Sequence, residues 1–332
     1  MITGTMHSII CKEAGIAEGN QIVECSIPKP KANQVQINVK AVALSVSDFN
    51  PFLEKENNGK VSYLTRLMVQ NKAFGGDISG IVTEVGKNVT SLKIGDEVYA
   101  SIGINGGSSE YVVTNANKVF LKPHNLSFEE AAALPTAGIV AMEACKKAKI
   151  HSGMEVLVQG ASGGVGQLAL QIAKAMGANI TAVCSTRNVD NAYSMGAERV
   201  IDYKKEIVSE CGCNFDAILG VNGNVPLSIY KKLLKRGGTY IAIGGEQASA
   251  GLIAPLYALG SEKKMTFVMY ASAVNHRHLK TLANLAEQGK IKPMIEGVYQ
   301  PNELGSTLER IGKNHAQGKV VLVPNFKDTN AS

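Results

Sequence analysis

The run Val156-Leu157-Val158-Gln159-Gly160-Ala161-Ser162-Gly163-Gly164-Val165-Gly166 constrains this chain more than any other stretch. It opens on a short apolar segment, the pattern of a strand buried in a parallel sheet. A glycine-rich turn follows. Apolar residues then fall at Val165, Leu168, Ala169, Ile172, Ala173 and Met176, one face of a helix. Strand, tight turn and helix in this order make a cradle for a dinucleotide. The N–H groups at the helix start, with the positive end of its dipole, hold a pyrophosphate. In the G-x-G-x-x-G frame the three places fall on Ala161, Gly163 and Gly166, so the first glycine is replaced. Glycine turns also serve plain helix–strand packing, but the flanking strand and helix are the context the nucleotide reading requires.

Beyond the cradle, strands and helices alternate. Strands are expected over Asn179–Cys184, Arg199–Asp202, 215–220, 239–244 and 265–270. Helices are expected over 189–195 and over 225–236, the latter ending at Gly237-Gly238. This βαβ alternation predicts a doubly wound parallel sheet. The tail adds helices over 275–288 and 303–312 and a last strand over 319–323.

Upstream the character differs. Val35, Ile37, Val39 and Ala41 alternate with Gln36, Asn38 and Lys40, the period of a half-buried strand. Further short strands separated by Gly and Asn turns run to Leu121, and together they predict a small barrel or sandwich. Residues 53–72 read as loop with some helix. Ser127-Phe128-Glu129-Glu130 is a capping box opening an Ala-rich helix to Leu134. Pro135 interrupts that helix, and a second one is expected over 138–149.

A chain of 332 residues fits two domains. With 45% hydrophobic and 19% charged residues it is globular, and with no Trp it offers little base-stacking surface. No nucleic-acid partner is expected: the net charge of +6 is mild, and Lys146-Lys147, Lys231-Lys232 and Lys263-Lys264 read as solvated helix ends. Cysteines at 11, 25, 145, 184, 211 and 213 are scattered, which predicts free thiols in a reducing, cytoplasmic setting. The first residues lack the charged and apolar regions of a secretory signal, and no apolar run is long enough to span a bilayer. Peripheral membrane attachment remains compatible with these features.

Cofactor choice is read about 20 residues past the turn, where a carboxylate binds the ribose 2′-OH of NAD and a basic residue accommodates the 2′-phosphate of NADP. Cys184-Ser185-Thr186-Arg187-Asn188 has no carboxylate, and its two hydroxyls and guanidinium suit a phosphate, which predicts NADPH. Tyr203, just past the third strand, is placed to reach the same phosphate. Gly244 at the carboxyl edge of the sheet allows close approach of a ligand.

No metal is expected. Catalytic zinc needs three ligands and an open position. His7, Cys11, Cys25 and His124 are not at ligand spacing, and His276 and His278 read as surface residues on different helix faces. A hydride acceptor used without a Lewis acid carries its own electron sink, as quinones and α,β-unsaturated carbonyls do. Hydride at an enone β-carbon moves charge to the oxygen, where a donor stabilises the enolate. Tyr, the cofactor ribose, a backbone N–H or water would serve, and the sequence does not assign the donor; Tyr63 is a candidate, and a packed tyrosine is its plainer reading.

These motifs resemble the medium-chain dehydrogenase/reductase superfamily over nearly the whole chain, and within it the zinc-free quinone oxidoreductases of the zeta-crystallin and chloroplast-envelope type. Phe74-Gly75-Gly76-Asp77 through Gly80, with Val85-Gly86 and Gly95-Asp96-Glu97-Val98, carries the likeness. So do Leu134-Pro135-Thr136-Ala137-Gly138, the Ala161–Gly166 turn and Gly318-Lys319-Val320-Val321-Leu322. The resemblance implies a GroES-like catalytic domain over 1–126 and 272–332 around a Rossmann NADP-binding domain over 127–271. It implies that Thr136, Val268 and Tyr270 contact the nicotinamide end and that Ser162, Gly163, Gly164, Val165, Ser185, Arg187 and Tyr203 hold phosphates. It places Ser45, Asp48 and Phe49 at the substrate cleft, and it implies a homodimer. Zinc-dependent relatives carry Gly-His-Glu where this chain has Gly75-Gly76-Asp77. Many relatives have Asn where Ser45 stands, so substrate preference does not carry over. The expected activity is NADPH-dependent reduction of a small quinone or enone. The alternatives are reduction of other activated alkenes or aldehydes, or a weakly catalytic NADPH-binding structural or RNA-associated role.

Overall fold

A computed structural model describes residues 4–12, 20–45, 70–103, 106–212, 214–221, 225–244, 247–268, 276–305, 307 and 317–326. The chain opens with strands β1 (Thr5–Cys11), β2 (Asn20–Ser26), β3 (Gln34–Leu44), β4 (Asp77–Val85), β5 (Glu97–Ser101), β6 (Tyr111–Asn115) and β7 (Val119–Leu121). Helices α1 (Phe128–Ala132) and α2 (Pro135–Lys147) follow. The alternating part is β8 (Glu155–Gln159), α3 (Gly164–Ala175), β9 (Asn179–Cys184), α4 (Val189–Ser194), β10 (Arg199–Asp202), β11 (Phe215–Val221), α5 (Leu227–Leu233), β12 (Leu234–Ile243), α6 (Gln247–Ala258), β13 (Lys264–Val268) and α7 (Arg277–Glu287). Strands β14 (Ile295–Tyr299) and β15 (Lys319–Leu322) close the described chain.

These elements divide into two units, Met1–Thr136 with Pro293–Ser332, and Ala137–Lys292. In the first, a seven-stranded sheet runs β14-β15-β3-β4-β5-β7, with β6 also pairing β3. The C-terminal β15 lies antiparallel to β3, with Val321 opposite Ala43, which ties both ends of the chain into one unit. The alternation expected in β3 holds from Ile37 to Ala41 and fails on either side. Gln36 is buried beside a register shift, where its amide donates to the Pro28 carbonyl and accepts from the Thr83 hydroxyl. Past Ala41 every residue is buried because β3 is covered twice. Val42 and Leu44 face the main core of this unit with Ile9, Ile37 and Ile78, and the small Ala41 and Ala43 leave room for Ala132 and Ala133 at α1.

The capping box forms as expected: Ser127 Oγ accepts from Glu130 N at 3.2 Å and the Glu130 carboxylate accepts from Ser127 N at 3.0 Å. Such a cap stabilises a helix by about 1 kcal/mol. Pro135 does not interrupt a helix; it opens α2, because its missing N–H and fixed φ suit the first helical position.

In the second unit the strand order is β10-β9-β8-β11-β12-β13, with every pairing parallel. This is the doubly wound order with β8 as the central first strand. Helix α5 ends at Leu233 and the chain passes straight into β12, so Gly237 and Gly238 lie in a strand and not at a helix cap. The register of β11 on β12 shifts there, and Gly237 takes φ 76°, which absorbs the extra residues. Helix α3 is buried beyond its apolar face: Gln171 is enclosed because its amide pairs with both the N–H and the carbonyl of Lys292.

The units part at 136/137 and 292/293, not at the expected 126/127 and 271/272. Helix α1 packs on the β3 side of the first unit. Helix α7 belongs to the second, where His278 is buried and not a surface residue. Its Nε2 lies 3.1 Å from Glu143 and its Nδ1 3.2 Å from Lys146. Lys147 donates to the Phe267 carbonyl, so this helix end is engaged and not merely solvated. No helix among the described residues is long and apolar enough to cross a membrane.

Candidate functional site

The carboxyl edge of the parallel sheet carries the predicted nucleotide residues. Strand β8 ends at Gln159 and the chain turns at Gly160, whose N–H and that of Ala161 both donate to the Val183 carbonyl at 3.1 Å. Gly160 has φ 71°, and a Cβ there would lie 2.0 Å from the Val221 carbonyl oxygen. At Gly166 a Cβ would lie 2.0 Å from the Gly160 carbonyl oxygen. The glycines therefore let the first turn of α3 close on the strand end. Ala161 occupies the first place of the frame fully buried.

Gly163 is the N-cap of α3 and has no side chain to cap it. The first N–H groups of α3 thus keep their capacity for an anion, with Ser162, Gly164 and Val165 half-buried around them. Gly244 follows β12 at the same edge, and a Cβ built there meets no atom within 4 Å. Val268, the last residue of β13, is buried.

Beyond β9, Ser185 leads into a 3-10 turn, Thr186–Asn188. Asn188 Nδ2 donates to Ser185 Oγ at 3.1 Å, while its Oδ1 is buried without a partner. Gln159 Oε1 at the end of β8 is likewise buried and without a partner. Arg187 is exposed on the turn, and Tyr203 is 51% exposed with Lys204 Nζ 5.5 Å from its ring centroid. Of the two hydroxyls expected for phosphate, that of Thr186 donates to Asp202 at 2.6 Å. Asp202, which sequence reasoning passed over, accepts next from Lys204 N and lies near Lys205. These contacts, the Thr186 hydroxyl first, hold its carboxyl below the ordinary value. The donor set, the glycine cap and the unsatisfied amide oxygens fit a dinucleotide.

In the first unit Asp77 is 3% exposed. Its carboxylate accepts from Thr136 N at 3.1 and 3.2 Å and from the Thr136 hydroxyl, and it pairs with buried Lys319 at 3.6 Å. Ser101 Oγ lies 3.1 Å from Thr136 Oγ1. Thr136, implied to face nicotinamide, thus spends its N–H and hydroxyl donors on Asp77. The acidic residue that stands at the third place of the Gly-His-Glu pattern is committed to Lys319 and Thr136. No group of three His, Cys, Asp or Glu side chains able to hold a metal occurs among the described residues.

Ser45 lies half-buried one residue past β3. Asp48, Phe49, Tyr63 and Tyr270, and residues 53–69 of the segment 53–72 expected as loop with some helix, lie outside the described residues. Cys11, Cys145 and Cys184 are buried free thiols. Burial pushes Cys11 up to about 11, Cys145 up to about 12 and Cys184 up to about 11, so none is a poised thiolate.

Residues 31–124 match the alcohol dehydrogenase GroES-like domain family and residues 195–322 the zinc-binding dehydrogenase family. A chloroplast envelope quinone oxidoreductase homolog from Arabidopsis thaliana is 30% identical over 93% of this chain and 95% of its own. An NADPH-dependent alkenal/one oxidoreductase from the same plant is 30% identical over 90% of this chain and 74% of its own. The solved quinone oxidoreductase from Coxiella burnetii superposes with a TM-score of 0.84 at 27% identity, covering 96% of this chain and 99% of that one. With the doubly wound sheet and the GroES-like unit in place, this chain belongs to the medium-chain dehydrogenase/reductase superfamily of oxidoreductases, in its quinone oxidoreductase group.

Proposed function

We propose that this protein is an NADPH-dependent reductase of quinones or α,β-unsaturated carbonyls that works without zinc. The observation that carries the reading is the uncapped start of α3 at Gly163 together with the Ser185–Arg187 basic turn one strand away. NADPH, when bound, supplies a hydride. The chain's part is to hold it. The α3 N–H groups take the pyrophosphate, Ser185, Arg187 and Tyr203 take the 2′-phosphate, and Gly244 and Val268 border the carboxyl edge of the sheet. Asp77 is spent on Lys319 and Thr136, which leaves the zinc-type ligand pattern without its acid and supports an acceptor with its own electron sink. The names of the Arabidopsis relatives, a quinone oxidoreductase homolog and an alkenal/one oxidoreductase, support the same two acceptor classes.

The reading includes a homodimer and a cytoplasmic setting. Leu256 in the last turn of α6 and Leu259 just past its end are 63% and 72% exposed, ahead of edge strand β13, an apolar surface suited to a second copy. The buried free thiols suit a reducing compartment.

NADPH oxidation in the presence of EDTA, with a panel of quinones, enones and simple aldehydes, tests the activity. Turnover is expected with the first two classes and not with aldehydes. Tight NADPH binding with no turnover on any acceptor would favour the non-catalytic nucleotide-binding role instead. For the cofactor, Arg187→Glu should weaken NADPH by about 100-fold, since it replaces a charge-assisted partner by a repelling one, and leave NADH within about threefold. Equal losses for both would remove Arg187 from the phosphate site.

A further inference from the structure

An acidic side chain at this end of a doubly wound sheet ordinarily takes the ribose 2′-OH and selects against a 2′-phosphate. Asp202 stands on β10 level with Cys184, the last residue of β9, next to the turn that carries Arg187. The placement alone argues for NADH. The contacts argue otherwise. Asp202 is 6% exposed. One carboxylate oxygen accepts from Thr186 Oγ1 at 2.6 Å and has Lys205 Nζ at 3.7 Å; the other accepts from Lys204 N at 3.0 Å. The backbone closes the same knot: Tyr203 N donates to the Cys184 carbonyl, and Lys205 and Glu206 N both donate to the Asp202 carbonyl.

We propose that Asp202 is a positioning residue for NADPH: it braces the turn bearing Ser185 and Arg187 through Thr186, and it does not serve as the ribose acceptor. The inference rests on the NADPH reading above. A charge-assisted hydrogen bond from the residue next to Arg187 fixes the base of that long side chain. A turn ordered beforehand spares the ligand the entropy of ordering it. The Lys205 ammonium and the two neutral donors also lessen the repulsion that a bare carboxylate would exert on the phosphate.

The test uses the full chain with Asp202→Ala, Thr186→Val, the double variant and Asp202→Asn, which keeps an acceptor for Thr186. Two quantities are read: hydrogen exchange of the amides at 185–188 without ligand, and the dissociation constants of NADPH and NADH from nicotinamide fluorescence. Each single truncation should speed exchange at the turn and weaken NADPH about tenfold, with NADH changed less than about twofold. The double variant should be no worse than Asp202→Ala alone, because the Thr186 bond is already absent there. Asp202→Asn should retain most of the NADPH preference. Weakened NADH with NADPH spared would make Asp202 the ribose acceptor and overturn the proposal. Faster exchange with unchanged preference, or additive losses in the double variant, would overturn it too. A wild-type chain that does not prefer NADPH sinks the cofactor reading itself, a result separate from the comparison of variants.

Discussion

Asp77→Ala lowers the stability of the first unit by about 3–5 kcal/mol, the cost of leaving a buried charge without its partner. Lys319 is 5% exposed, so water does not take over when the carboxylate is removed. The same truncation orphans the Thr136 N–H near the start of α2 and frees the Thr136 hydroxyl beside Ser101. A carboxylate at a helix start also favours the dipole, a contribution that is lost as well. Asp77→Asn should cost less than Ala, because its amide oxygen still accepts from Thr136 N while Lys319 stays unpaired. Asp77→Leu with Lys319→Met should recover most of the loss, since a buried ion pair and an apolar pair of similar volume are close in stability. The chain has no Trp, so urea unfolding is followed by far-ultraviolet circular dichroism. A loss under about 1 kcal/mol for Asp77→Ala, with no recovery in the double variant, would show that the pair does not hold this unit together.

That cluster was not legible in the sequence as a cluster. Asp77, Thr136 and Lys319 each lay in a recognised motif, but no local period links residues so far apart; the antiparallel seating of β15 on β3 and β3 on β4 brings Lys319 to Asp77, and Thr136 meets them from the start of α2. The cradle was legible because all its parts are local: β9 and β10 fall on their expected bounds, and Gly163 and Gly166 stand where the frame put them. Helix α6 went unread because an apolar helix with Pro255 inside it shows no polar face to mark its period. The end of α5 was misplaced because Gly237 is as useful in a bulged strand as at a helix cap. Asp202 was missed as a site residue because a cofactor-choosing acid was sought at the end of the second strand, and this one acts from the third.

The two glycines of the turn separate folding from binding. Gly166→Ala sets a Cβ 2.0 Å from the Gly160 carbonyl oxygen and 2.8 Å from its carbon, both backbone atoms that no rotamer change relieves. The start of α3 must move away from β8, so stability and dinucleotide affinity fall together, the first by about 1–3 kcal/mol as in overpacked cores. Gly163→Asp behaves differently. Gly163 has φ −78° and ψ 169°, an extended N-cap that any residue adopts, and its nearest neighbour for a Cβ is 3.6 Å away. Aspartate there accepts from the free N–H groups of α3 and complements the dipole, so the thermal midpoint without ligand should hold or rise slightly. The same carboxylate takes the donors that the pyrophosphate needs and repels its charge, and NADPH and NADH affinity should both fall by at least about 100-fold. Loss of both cofactors at unchanged stability locates the anion at the α3 N-terminus, whereas a Gly163→Asp protein that still binds NADPH normally would place the pyrophosphate elsewhere and reduce the turn to a packing device.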